Sequence, residues 1–134
     1  MIMKYSLLLF CTLLVISCSE KKSTISNDPE PTSCDCNELI LDKSYQRFFL
    51  TDKEKPFTGT CITYKADGKK VFERNYLKGK YQGLFIDYHE NGKVKSTTEY
   101  EKNLMTGAQK KYNKEGELIS HTIFLRSKLK EIIK

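Results

Sequence analysis

The chain holds no tryptophan, two histidines and three prolines in 134 residues, and its one long apolar run, Tyr5 to Ser17, is thirteen residues. Each shortage excludes something. A helix needs about 20 apolar residues to cross a bilayer, so this run does not span. His89 and His121 stand in no local pattern that activates a serine or cysteine nucleophile. No glycine-rich loop leads into a helix, which removes the usual cradle for a phosphate. The acids are scattered through turns, where Asp67 and Glu115 are explained by backbone geometry. Nothing here reads as a catalytic residue or a cofactor site, and the expectation is a protein that is not an enzyme. The length leaves room for one domain at most.

What is present favours strands. Eight tyrosines, seven phenylalanines and 30% charged residues suit a thin sheet with wet faces better than a thick globule. The formal charge is +6, with lysine and arginine spread through the second half instead of forming one block. That pattern predicts a mildly basic surface rather than a nucleic-acid arm.

The first residues read as an export signal. One positive charge, Lys4, precedes the apolar run, and Val15, Ile16 and Ser17 come just before Cys18. This resembles a bacterial lipobox, which implies cleavage after residue 17 and acylation of Cys18. Membrane lipid would be held through that cysteine, since two or more acyl chains anchor stably where one does not. Cleavage takes one lysine from the 23 basic residues and no acid, leaving 22 against 17. Residues 18–43 are rich in Ser, Thr, Pro and charge and read as a tether, its first sixteen or so residues spanning about 20 to 25 Å. Ser19 is not aspartate, which by the same resemblance points to the outer membrane of the cell envelope. Export argues against a nucleic-acid partner.

Residues 44–134 carry a repeat. Tyr64, Tyr88 and Tyr112 are 24 apart, as are Gly59, Gly83 and Gly107, then Gly68, Gly92 and Gly116, then Tyr76, Tyr100 and Phe124. A fixed period in this range signals a stacked architecture. Asp67-Gly68, Asn91-Gly92 and Glu115-Gly116 lie between alternating segments and predict hairpin turns. The expected fold is mainly β: one antiparallel meander of hairpins over residues 59–82, 83–106 and 107–130. Second turns are expected at Gly79 and Asn103, with Ser127 marking the end of the repeat. Ser44 to Leu50 is expected as a strand in front. Leu125, Leu129, Ile132 and Ile133 fall at helical spacing and predict a short C-terminal helix packed on the last hairpin, with a frayed continuation of the strand as the alternative. On a period-2 reading the column tyrosines pack across strands, and an exposed stacking ladder is the sharper alternative.

The stretches "PFTGTCITYKADGKK" and "YLKGKYQGLFIDYHENGKVK" resemble the bacterial variant of the MORN repeat found in the YwqK family, over roughly Phe48 to Leu125. That family is associated with toxin–antitoxin systems as the antitoxin. The resemblance implies a MORN-like sheet, binding rather than turnover, and no catalytic residues to carry over.

Three cysteines remain beyond the lipid site. Cys61 is expected to bond either Cys34 or Cys36, leaving one thiol. A metal is disfavoured because "CDC" lacks the usual ligand gap. Lys69, Lys70, Lys78, Lys80, Lys93, Lys95, Lys110 and Lys111 recur around turns and strands, either as a basic stripe toward lipid headgroups or an acidic protein, or as solubility and edge protection. The expected function is a lipid-anchored β-repeat surface that binds an unidentified protein partner. An antitoxin or immunity protein is the second reading, and an envelope hydrolase a distant third.

Overall fold

The computed structural model describes residues 32–51 and 54–134. The expected signal over residues 1–17, the acylated Cys18 and the tether up to residue 31 lie outside the described residues.

Glycine decides where the chain turns. Three hairpins form from strands β4 (Gly59–Tyr64) and β5 (Lys70–Leu77), β7 (Gly83–Tyr88) and β8 (Val94–Glu101), and β9 (Leu104–Tyr112) and β10 (Leu118–Leu125). Gly68, Gly92 and Gly116 sit at their tips with φ of 80°, 82° and 94°, a region other residues reach only with strain. Register is the same in each: Gly59 faces Tyr76, Gly83 faces Tyr100 and Gly107 faces Phe124, with a bulge near each tip. The links between hairpins are two-residue turns in which both residues are left-handed, at Lys78-Gly79, Lys102-Asn103 and Arg126-Ser127. Such turns match the twist of the strands they join. Ser127, expected to mark the end of the repeat, has φ of 61° and keeps the same turn.

The result is one mostly antiparallel sheet of nine strands. The path runs from β1 (Thr32–Asp35) through β4, β5, β7, β8, β9 and β10 to β11 (Lys128–Ile132), with the short β6 (Lys80–Tyr81) also on β5. The C-terminal segment is therefore a strand, not the expected helix. Its register shifts at Lys130, so Leu129 faces Phe124 and Ile132 faces Thr122 on one side of the sheet. A bulge thus gives a strand the i, i+3 spacing that reads as helical. The open edge of β10 supplies backbone partners that a helix this short, marginal by itself, would have to find alone.

Part of the segment read as tether is folded. β1 pairs in parallel with β4, from Thr32 opposite Gly59 to Asp35 opposite Ile62. A short turn, Cys36–Glu38, leads to β2 (Ile40–Asp42), which pairs with β3 (Arg47–Phe49) in a separate small hairpin. The expected strand Ser44 to Leu50 is thus a turn followed by β3. Polar composition hides these elements because backbone pairing and a disulfide hold them, not an apolar stripe.

The sheet's core lies under that N-terminal cap. Phe57, Cys61, Tyr76 and Phe85 are the buried apolar residues, with Leu39, Phe48, Leu50 and Tyr81 packed around them. The rings form a chain: Phe48 to Tyr76 and Tyr81 at 5.0 and 5.1 Å, Tyr81 to Phe85 at 4.9 Å and Phe85 to Tyr100 at 4.4 Å. Aromatic pairs at these separations contribute about 0.5–1.5 kcal/mol each beyond area burial. Tyr76 and Tyr100 join this chain. Tyr64, Tyr88 and Tyr112 do not: they lie on the opposite face, with Tyr64 half exposed and the Tyr88 hydroxyl donating to Glu73 Oε1 at 2.6 Å. Alternation along β4 and β7 puts Cys61 and Phe85 inward, so Tyr64, Tyr88 and Tyr112 point outward, whereas Tyr76 and Tyr100 pack across strands against Phe85.

Candidate functional site: the uncovered end of the sheet

The cap lies over the first two hairpins and reaches the link to the third, where the Asn103 side-chain amide donates to the Gln46 carbonyl at 3.4 Å. Its Phe48 amide donates to the Gly79 carbonyl at 2.8 Å, and Phe57 donates to Phe48 at 2.9 Å, which seats it at the link between those hairpins. In the third hairpin two of the three core columns lose their rings, and Phe124 keeps the third. Phe57 and Tyr81 are followed by Met105, and Cys61 and Phe85 by Gln109, whose amide donates to Thr98 Oγ1 at 3.3 Å. With less to bury, β9, β10 and β11 stand as a single layer. Leu104, Ile119, Leu125, Leu129, Ile132 and Ile133 are exposed there, Ile132 at 67%.

Charge divides the same way. Described residues up to 92 hold nine basic and eight acidic side chains, whereas residues 93–134 hold ten and five. Four ion pairs lie between residues 65 and 90: Lys65–Glu90, Lys69–Asp67, Lys70–Glu73 and Arg74–Asp87. Arg74 also lies over the rings of Phe72 and Phe85, at 4.4 and 4.9 Å. Glu73 feels burial that would raise its carboxyl, but hydrogen bonds from Lys70 and Tyr88 outweigh it and hold the group below the ordinary range.

Near the hairpin tips an open cleft of about 490 Å³ is lined by His89, Lys95, Ser96, Lys111, Tyr112, Asn113, Lys114, Glu115 and Ile119. Three ammonium groups with one carboxylate make it a place for an anionic group carried on an apolar body. The tips themselves are tied together. His89 Nε2–H donates to the Tyr112 carbonyl at 2.9 Å, Asn91 to Lys114 at 2.7 Å and Lys93 Nζ to Glu115 at 2.8 Å. His89 thus has a structural partner, and His121 sits within β10 with its backbone paired to Ile133 and Lys134. The two histidines belong to different hairpins.

The eight lysines singled out from the sequence are not gathered into one stripe. Lys69, Lys70 and Lys93 lie toward the hairpin tips and Lys78 and Lys80 toward the links at the other end. Lys110 and Lys111 are successive residues of β9 and so face opposite sides, and Lys95 sits at a bulge of β8.

Cysteine placement resolves the pairing left open by the sequence. Cys36 bonds Cys61, and Cys34 remains a thiol. Burial, then the charges of Glu38 and Asp35, push that thiol up to about 11. No group of three or more histidine, cysteine, aspartate or glutamate side chains among the described residues is placed to hold a metal ion, and no helix there is long and apolar enough to cross a membrane.

Sequence reasoning missed Phe48, Phe57, Tyr81 and Phe85. The last three were within reach, since Phe57, Tyr81 and Met105 are spaced 24 apart, as are Cys61, Phe85 and Gln109. Comparison with family models, curated proteins and solved structures finds no match to this chain.

Proposed function

We propose that the chain is a non-enzymatic binding protein, anchored to the envelope through acylated Cys18, which offers the uncovered end of its sheet to an acidic protein partner. One observation carries this reading: β9 to β11 leave apolar side chains exposed on a single layer among cations that outnumber its acids and take part in none of the four ion pairs between residues 65 and 90. Leu129 and Ile132 share the face of Phe124 while Leu104 and Leu125 lie on the other, and exposed apolar surface rimmed by charge is a mark of interaction sites. Ten basic against five acidic residues select an anionic partner and speed its approach at low salt. The common register of the three hairpins supports a MORN-like repeat, and the turns, not a pocket, carry its periodicity.

Two experiments test it. Photo-crosslinking residues placed at Ile119 and Leu129 in the native envelope should capture one protein in common, and the same residue at Leu41, on the cap, should not. Equal capture at all three positions, or none at Ile119 and Leu129, contradicts the assignment of the surface. Cys18→Ala should move the protein from the membrane to the soluble fraction; sedimentation with membranes contradicts the anchor.

A further inference from the structure

We propose that Cys34 and Cys36 compete for Cys61, so that the staple at the N-terminal edge of the sheet exists as two interconverting disulfides, one of which releases the cap. In the parallel ladder of β1 and β4, Cys34 lies directly opposite Cys61. Neighbouring strands are about 4.8 Å apart, within the Cα range of about 4.4–6.8 Å that disulfides bridge. Cys36 holds Cys61 across a Cα separation of 4.8 Å. Both Cys34 and Cys36 pack against the same buried cluster of Phe57, Cys61 and Tyr76. Chain entropy does not choose between the two bonds, because the sequence separation is 25 for the existing one and 27 for Cys34 with Cys61.

The exchange balances within the molecule. Cys34 gives its proton to solvent, and its thiolate attacks Cys61 Sγ. The bond to Cys36 breaks with its electron pair leaving on Cys36, which then takes up a proton. One disulfide and one thiol stand on each side, so no oxidant or reductant is consumed.

The two forms differ in what they hold. A Cys34–Cys61 bond keeps β1 on the sheet but frees the turn Cys36–Glu38, and with it the approach to Leu39 and to the β2–β3 hairpin that lays Phe48 over Tyr76 and Tyr81. The exchange is slow at neutral pH. Burial and the carboxylates of Glu38 and Asp35 keep Cys34 protonated, and Tyr76, the titratable group facing it from β5, is itself held neutral by burial. Thiolate, the attacking form, grows tenfold per pH unit below the thiol's titration.

Purified full-length protein, held at a set pH, acid-quenched, labelled with N-ethylmaleimide and peptide-mapped, tests this. At pH 7, among Cys34, Cys36 and Cys61, the label should sit on Cys34. Between pH 7.5 and 9.5 it should appear on Cys36 together with a Cys34–Cys61 linked peptide, about tenfold faster per pH unit, and Glu38→Gln should speed this several-fold at fixed pH. Label confined to Cys34 at pH 9.5, while a urea-unfolded control scrambles, overturns the proposal. Cys36→Ser treated with oxidised glutathione should close Cys34–Cys61 and raise hydrogen exchange across residues 36–49 relative to Cys34→Ser. Two separate glutathione adducts, or unchanged exchange in the cap, would count against it equally.

Discussion

The first and last hairpins have the same turns and the same register, yet one lies in a two-layered core and the other stands bare. β4 and β5 contribute Cys61 and Tyr76 to the core, whereas β9 and β10 present Gln109 and Phe124 at the matching positions. Turn chemistry and core chemistry are thus separable in this fold. Glycine and left-handed pairs shape every hairpin, but the third keeps one core ring, Phe124, where the second has Tyr81, Phe85 and Tyr100. The bare hairpin must draw its order from backbone pairing with β8 and β11, and it is left with surface to offer.

The comparison is broken most severely in the core. Phe85→Ala should cost about 3–5 kcal/mol of unfolding free energy in urea, because Phe85 touches Tyr76, Tyr81, Tyr100 and Arg74. Ile119→Ala, at an exposed position of the bare hairpin, should stay within about 0.5 kcal/mol. Similar losses at the two sites would mean that the third hairpin is as covered as the first. Reducing Cys36–Cys61 should cost about 3 kcal/mol by loop entropy, and the loss should be seen as faster exchange in β1 to β4 rather than in β10.

A finer contrast uses equivalent glycines. A methyl group at Gly59 would collide with the Thr32 backbone carbonyl, whereas at Gly83 its nearest neighbour is the Asn75 side chain at 3.8 Å. Both have positive φ, so both alanine variants carry backbone strain of about 1 kcal/mol or more. Gly59→Ala should in addition detach β1, visible as loss of amide protection at residues 32–35. Equal protection in the two variants would refute the close approach of β1.

The smallest effect is electrostatic. Glu73 has its pKa held below its ordinary 4.5 by Lys70 and Tyr88, despite burial acting the other way. A depressed carboxyl adds stability above its unfolded pKa and loses it as pH falls through the folded value. With Lys70 half exposed, the loss below pH 4.5 should be under about 1 kcal/mol, and Glu73→Gln should remove that part of the acid slope.

How much of this was legible follows the same division. Turns were readable because positive φ leaves few residue choices, and the strands flanking Gly68, Gly92 and Gly116 fall where alternation and period put them. The inward face was misread because Tyr64, Tyr88 and Tyr112 form the more regular column, whereas the core column changes from Cys61 to Phe85 to Gln109. Regularity marked a structural position on the outside, and burial went to the side where the cap happens to lie. The cap itself left little signal, since β1 is held by a parallel ladder to a strand 27 residues on and by Cys61. The bulge at Lys130 disguised β11 as a helix. As for the candidate surface, its lysines were countable from the start, but which of them lacked acidic neighbours depended on strand pairing.

Amide hydrogen exchange resolved by strand, on the free protein at neutral pH, tests the central claim most directly. A sheet covered at one end should show slow exchange in β4, β5 and β7, and faster exchange by an order of magnitude or more in β10 and β11. Uniform protection across all strands, or the slowest amides in β10, would contradict a sheet whose last hairpin stands uncovered.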